Sequence, residues 1–326
     1  MVDRYGRKID YLRVSITDRC NLRCIYCMPA EGVELKPREE ILCFEELLRL
    51  IRVATSVGFR KFRLTGGEPL VRKGLIEFIR SLVQLPGVED LSLTTNGILL
   101  PQMAAQLKDA GVRRLNISLD TLNPEKYREL TRGGDFSKVW EGIQKSLDLG
   151  FDPVKVNVVI LKGFNDQDWV DFAELTCRYP VHVRFIEVMS IGTSREFAEK
   201  HFAPASQVRE RIEAVLGKLV PVEVVTGSGP ARYFQVPGAS GKLGFISAVS
   251  NHFCSRCNRI RLTADGQLRP CLFDQRELDL RRPLRAGASD QELAEIFRKA
   301  ISLKPSSYHE AVRLASGGRD MCQIGG

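Results

Sequence analysis

The chain has 326 residues, 44% of them hydrophobic and 27% charged, enough for roughly two domains of ordinary size and a substantial core. That balance excludes a disordered or collagen-like chain. The 48 Lys and Arg outnumber the 40 Asp and Glu for a formal charge of +8, and there are nine cysteines. The N-terminal residues are charged and lack a signal-type apolar stretch, and no apolar run approaches the ~18 residues that span a bilayer. A cytoplasmic protein with no membrane association is expected, and in that reducing setting an odd cysteine count favours metal ligation or redox chemistry over disulfides.

From residue 11 to about 189, short β-branched runs alternate with amphipathic stretches, the pattern of parallel strands joined by crossover helices. Strands are predicted near 12–17, 61–65, 90–94, 113–119, 153–159 and 182–188. A helix over 44–57 carries apolar Leu47, Leu48, Ile51 and Ala54 and stops at Gly58, and another over 101–110 opens on Pro101 and stops at Gly111. Six βα units are compatible with a partial barrel and with a doubly wound open sheet. Past Met189 the pattern changes to a loop over 190–194, a helix near 207–216 and strand-like pieces near 220–225, 233–236 and 243–246, punctuated by Gly- and Pro-rich turns. Two units follow, a core over 1–190 and a smaller subdomain over 191–326.

Six cysteines form two triads, Cys20, Cys24 and Cys27 near the start and Cys254, Cys257 and Cys271 in the second unit. Cys43, Cys177 and Cys322 stand apart and read as small hydrophobes. A cubane iron–sulfur cluster takes thiolates from a short wrapping loop; with three of them, one iron is left open to a small molecule. Three cysteines and a histidine also suit a closed zinc site, and His252 keeps that alternative open for the second triad.

The run Asp18-Arg19-Cys20-Asn21-Leu22-Arg23-Cys24-Ile25-Tyr26-Cys27-Met28-Pro29 resembles the C-x-x-x-C-x-x-C signature of radical S-adenosylmethionine (SAM) enzymes. Thr65-Gly66-Gly67-Glu68-Pro69, Thr94-Thr95-Asn96-Gly97, Asn116-Ile117-Ser118-Leu119-Asp120, the second triad with Arg259-Ile260-Arg261, and a diglycine end narrow the likeness. Together they resemble the GTP 3′,8-cyclase family of molybdenum-cofactor biosynthesis, along essentially the whole chain. The fold implied is α/β, a partial TIM-type barrel of six βα units with a smaller C-terminal α+β subdomain closing its open side.

The resemblance implies two [4Fe–4S] clusters, one on each triad, and SAM on the open iron of the first. It implies a 5′-deoxyadenosyl radical that takes the ribose 3′ hydrogen of GTP, whose sugar then closes onto guanine C8 to give (8S)-3′,8-cyclo-7,8-dihydroguanosine 5′-triphosphate. Tyr26, Gly67, Ser118 and Met189 resemble the family's SAM contacts. Arg13, Arg63, Thr94, Lys155, Arg259, Ile260 and Arg261 resemble its GTP contacts. Gly325 and Gly326 resemble a tail that threads into the active site. An electron donor, a downstream cyclic pyranopterin monophosphate synthase and a homodimeric assembly are the partners implied, with no nucleic acid. The competing readings are a peptide-modifying radical SAM enzyme with an auxiliary cluster and a basic, zinc-containing nucleic-acid-binding protein.

Two observations stand without the family. The candidate residues lie at the C-terminal ends of successive predicted strands, where parallel α/β folds bind ligands. Arg259 and Arg261, two apart on a predicted strand, share a face and can fork onto phosphate oxygens.

Overall fold

A computed structural model describes residues 1–223, 229–313 and 318–325. The six core strands are β1 (Tyr11–Ser15), β2 (Lys61–Thr65), β3 (Asp90–Thr95), β4 (Arg114–Ser118), β5 (Val154–Ile160) and β6 (Val181–Glu187). Each lies within two residues of its predicted bounds, and they pair in parallel in chain order. Helices bridge successive strands. The one over Phe44–Val57 starts on a capping box between Cys43 and Glu46 and ends where Gly58 turns left-handed at φ 110°. Its Leu47, Leu50, Ile51 and Ala54 are buried against the sheet, one apolar stripe at helical spacing.

The second half of the chain supplies strands to both edges of this sheet: β7 (Val220–Pro221), β8 (Arg232–Gln235), β9 (Lys242–Ile246), β10 (Arg259–Leu262), β11 (Gln267–Arg269) and β12 (Leu278–Asp279). The resulting order is β12-β11-β10-β1-β2-β3-β4-β5-β6-β9-β8-β7. β9 lies parallel to β6 and β10 parallel to β1, whereas the outermost strands run antiparallel. The architecture is α/β, a partial barrel flanked on both open sides by C-terminal strands. The strand expected over 220–225 is only the pair Val220–Pro221, with its last two residues outside the described set.

Strand periodicity sorts the side chains. On β1, Leu12 and Val14 are fully buried under the helices, while Tyr11 and Arg13 line the interior of the barrel. On β2, Phe62 and Leu64 take the outer layer and Arg63 and Thr65 the inner one. The outer layer is one continuous apolar core that also takes in Phe297 from the helix Asp290–Ser302, whose ring sits 5.8 Å from Phe59.

Candidate active site between two thiol triads

The barrel interior opens as a cavity of about 290 Å³ whose wall includes all six triad cysteines. The triads therefore face one shared space, although more than 200 residues separate them in sequence.

The first triad lies on the loop after β1. The β2–β3 connections support it: Gly67 N–H donates to Thr17 O at 2.8 Å and Glu68 N–H to Arg19 O at 2.8 Å. A Cβ on Gly67 would lie 2.4 Å from Arg19 O, so glycine is needed for the cysteine loop to rest there. Glu68 is buried and accepts from Thr95 Oγ1 at 2.7 Å, Asn96 N at 2.7 Å and Leu70 N at 3.0 Å; burial outweighs these bonds and pushes its pKa up to about 7. Asn96 Nδ2 in turn donates to Asn21 Oδ1 at 2.8 Å, beside Cys20. Between two triad cysteines, Tyr26 donates its hydroxyl to Asp120 Oδ2 at 2.6 Å, and burial raises Asp120 to about 6. Burial first, then Asp120 and the neighbouring thiols, also pushes up the Cys24 and Cys27 thiols.

Cations surround the second triad instead. Burial acts to raise the Cys257 thiol, but Lys304 and Arg259 outweigh it and the pKa falls to about 6. Glu187, at the end of β6, holds the approach to this loop by accepting from Val249 N and Ser250 N, both at 2.8 Å. His252 sends Nδ1 to the Ala248 carbonyl at 2.9 Å and stacks on Tyr308 with centroids 4.2 Å apart.

All six triad cysteines are free thiols. Among the described residues, no three His, Cys, Asp or Glu side chains converge on the position of a single metal ion. Three thiols spread around one end of a shared cavity suit a cluster that bonds each thiolate to a different iron.

A band of cations runs between the triads. Strand register puts Arg13 opposite Arg63 on one side and Arg261 on the other. Burial, then the neighbouring Arg261 and Arg63, drives Arg13 well below its ordinary range. Burial and Arg259 take Arg261 down to about 9, and burial with Arg184, Arg114 and Arg63 takes Lys155 to about 6. Arg184 on β6 lines the cavity and bonds neutral side chains, among them Asn157 Oδ1 at 2.9 Å and Asn116 Oδ1 at 2.6 Å. Buried like charges that depress one another make an environment that favours a polyanion.

The tail enters the same interior. Arg319 forks onto Asp265 with two 2.8 Å bonds, and Asp320 Oδ1 accepts from Thr193 N at 2.8 Å and Thr193 Oγ1 at 2.7 Å. The short helix Met321–Ile324 then delivers Gly325 between β1 and β2.

Of the residues singled out from sequence, Tyr26, Gly67, Ser118, Met189, Arg13, Arg63, Thr94, Arg259 and Arg261 line the cavity with the six cysteines. The Thr94 hydroxyl is buried without a hydrogen-bond partner among the described residues. Lys155 stands behind that wall, its ammonium 5.9 Å from the Tyr233 ring centre, and Gly325 is buried behind Arg261. Ile260 points away, fully buried in the apolar layer, because strand alternation sets it opposite its two arginine neighbours. Gly326 lies outside the described residues. Sequence reasoning missed Arg184, Lys304, Asp120 and Glu68 as members of the site. The last two sat inside quoted motifs, and the even spacing of Lys155, Asn157 and Val159 on β5 and of His182, Arg184 and Ile186 on β6 was the available signal for Arg184. The three isolated cysteines also differ from expectation: Cys43 is an exposed helix cap, Cys177 is exposed, and Cys322 lines the cavity near the first triad.

Residues 14–176 match the Radical SAM superfamily and residues 181–310 match Molybdenum Cofactor Synthesis C. The chain is 54% identical to the GTP 3′,8-cyclase of Pelotomaculum thermopropionicum and 52% identical to that of Moorella thermoacetica, with all of this chain and all of each relative covered. Among solved structures, Streptococcus suis SuiB bound to S-adenosylmethionine is similar in fold, with a TM-score of 0.63 at 14% identity over 89% of this chain and 68% of that one. The AdoMet-bound protein anSMEcpe superposes with a TM-score of 0.55 at 14% identity over 92% of this chain and 79% of its own. With full-length relatives at this identity and both halves matched, the chain belongs to the GTP 3′,8-cyclase family of the radical SAM superfamily.

Proposed function

We propose that this protein is a GTP 3′,8-cyclase, a lyase that converts GTP to (8S)-3′,8-cyclo-7,8-dihydroguanosine 5′-triphosphate in the first step of molybdenum-cofactor biosynthesis. The observation that carries the reading is the band of cations, buried Arg13, Arg184 and Arg261 with half-buried Arg63, between two thiol triads in one cavity. A nucleoside triphosphate offers the negative charge that this band calls for. When bound, the first cluster with SAM supplies the 5′-deoxyadenosyl radical, chemistry that no side chain provides.

Cys20, Cys24 and Cys27 hold the first [4Fe–4S] cluster, and Cys254, Cys257 and Cys271 hold the second. Tyr26, Gly67, Ser118 and Met189 form the SAM wall at the C-terminal ends of the strands. Arg13, Arg63, Thr94, Lys155, Arg259 and Arg261 bind GTP, with Ile260 contributing backbone only. Gly325 and Gly326 complete the site without side-chain bulk, and the barrel wall keeps water from the reacting atoms. Division of labour follows the chain, residues 1–190 carrying SAM chemistry and 191–326 the substrate-side cluster and tail. The protein works in the cytoplasm, takes electrons from a separate donor, forms a homodimer and hands its product to a cyclic pyranopterin monophosphate synthase. Among the described residues, no helix is long and apolar enough to cross a membrane.

The test is anaerobic purification with metal analysis. About eight irons per chain, as two cubanes require, with SAM cleavage stimulated by GTP, is the expected result; stoichiometric zinc without iron sinks the reading. Replacing Cys254, Cys257 and Cys271 by serine should leave about half the iron and no cyclised nucleotide.

A further inference from the structure

Lys304 is among the largest fully buried side chains, 2% exposed, and its side chain lines the cavity beside the second triad. A buried ammonium is costly unless an anion compensates it. Its Nζ donates to the carbonyl oxygens of Arg259 at 2.6 Å and Pro270 at 3.0 Å, both neutral. Among the described residues it forms no ion pair with a carboxylate. The two carbonyls belong to the segments that carry the ligands: Arg259 is two residues past Cys257, and Pro270 immediately precedes Cys271. One ammonium therefore ties both segments together and faces the space their thiols enclose.

Arg7 makes a useful contrast. It is also buried and also binds this region, donating to Cys254 O and Pro305 O, each at 2.9 Å. Yet it carries its own counter-ion, a buried 2.6 Å ion pair with Asp3. Among the described residues Lys304 has no carboxylate partner, and the anionic groups that its charge faces are the sulfurs of the triad.

We propose that Lys304 is a positioning residue for the second triad and the electrostatic partner of the anionic centre that Cys254, Cys257 and Cys271 hold, raising that centre's reduction potential. The proposal rests on the reading of this triad as an iron–sulfur site. Three thiolates on a cubane core leave a net negative charge that grows when the core accepts an electron, and a nearby fixed cation favours the more negative state. A cation with no other counter-ion serves that purpose in a way that a lysine paired to a carboxylate would not.

The experiment uses the full-length chain reconstituted anaerobically with iron and sulfide, titrated with dithionite and followed by electron paramagnetic resonance. The second cluster's signal is the one missing when Cys254, Cys257 and Cys271 are serine. Lys304→Met keeps the stem and removes the charge, whereas Lys304→Gln also keeps a donor for the carbonyls. Both variants should shift the second cluster's midpoint to more negative potential, or fail to retain that cluster, with the first cluster unchanged. Unchanged potentials in both variants overturn the proposal. So does a wild-type potential in Lys304→Gln, which assigns the effect to hydrogen bonding alone. Failure of the underlying reading looks different: wild type itself then holds about four irons or fewer, one cubane at most.

Discussion

Arg261 donates from Nη1 to the carbonyl oxygen of Gly325 at 2.6 Å. The guanidinium that lines the cavity is thus also the anchor of the tail, and neither can be displaced without disturbing the other. Its position is set by β10, where Arg261 lies in register with Arg13 of β1.

Gly325 is held at φ 81°, and a Cβ there would lie 2.8 Å from Thr65 Cγ2 and 3.0 Å from Ser15 Cβ. Conformation and space both resist a side chain. Gly325→Ala should lower kcat at least ~10-fold through loss of transition-state positioning while iron content stays at the wild-type value. Turnover equal to wild type removes this tail contact from the reaction.

Arg184 bonds two asparagine side chains and faces the cavity. With the proposed role of Arg184 as a phosphate contact, Arg184→Ala should raise KM for GTP by roughly 10- to 100-fold, with both cluster spectra intact. Steady-state kinetics decide it, and an unchanged KM counts against phosphate contact at this residue.

Asp120 offers a pH test in the cluster-free chain. Burial raises its pKa from near 3.8 to about 6, so the folded state binds the proton more tightly than the unfolded one. Stability from this group is complete below about pH 4 and is lost as pH rises towards 6. Asp120→Asn cannot ionise, and above pH 6 it should be more stable than wild type by about 3 kcal/mol, two units at about 1.4 kcal/mol each, a gap that closes by pH 4. Urea unfolding at several pH values measures it. A gap independent of pH means that ionisation of Asp120 is not its source.

Arg7 and Asp3 form a buried ion pair that also binds the backbone at Cys254. Arg7→Met strands the Asp3 carboxylate and should cost about 3–5 kcal/mol, whereas Asp3→Asn with Arg7→Met together should recover part of that loss. Denaturant unfolding of the single and double variants gives the coupling, and additivity would deny it.

Local sequence carried the core strands and the first helix because each is bounded by its own signals. Lys61–Thr65 alternates cleanly, and the helix Phe44–Val57 ends at a glycine whose left-handed φ of 110° no longer extends it. The pairing of β10 with β1 joins residues about 250 apart, and no local pattern encodes a partner at that separation. Site membership followed the same division. Residues in contiguous motifs, such as Cys20 to Cys27 and Gly67, were legible. Lys304 was not, since it reaches the cavity through packing of a segment that has no motif of its own, and Cys322, though next to the diglycine end, read as a small hydrophobe. Ile260 shows the converse: it belongs to the motif, but alternation turns its side chain into the apolar layer.

The parallel neighbour of β1 on its outer side is β10, which bears on the order of biosynthesis. A chain made from its N-terminus presents β1, and the cysteine loop that follows it, as an open strand edge until residues 259–262 have been synthesised. Unpaired edges invite association with other chains, so the interval between translation of the first triad and of the second is the period in which the growing polypeptide is most exposed to misassembly. Completion of the segment that carries the second triad is then also the event that closes the edge beside the first cysteine loop.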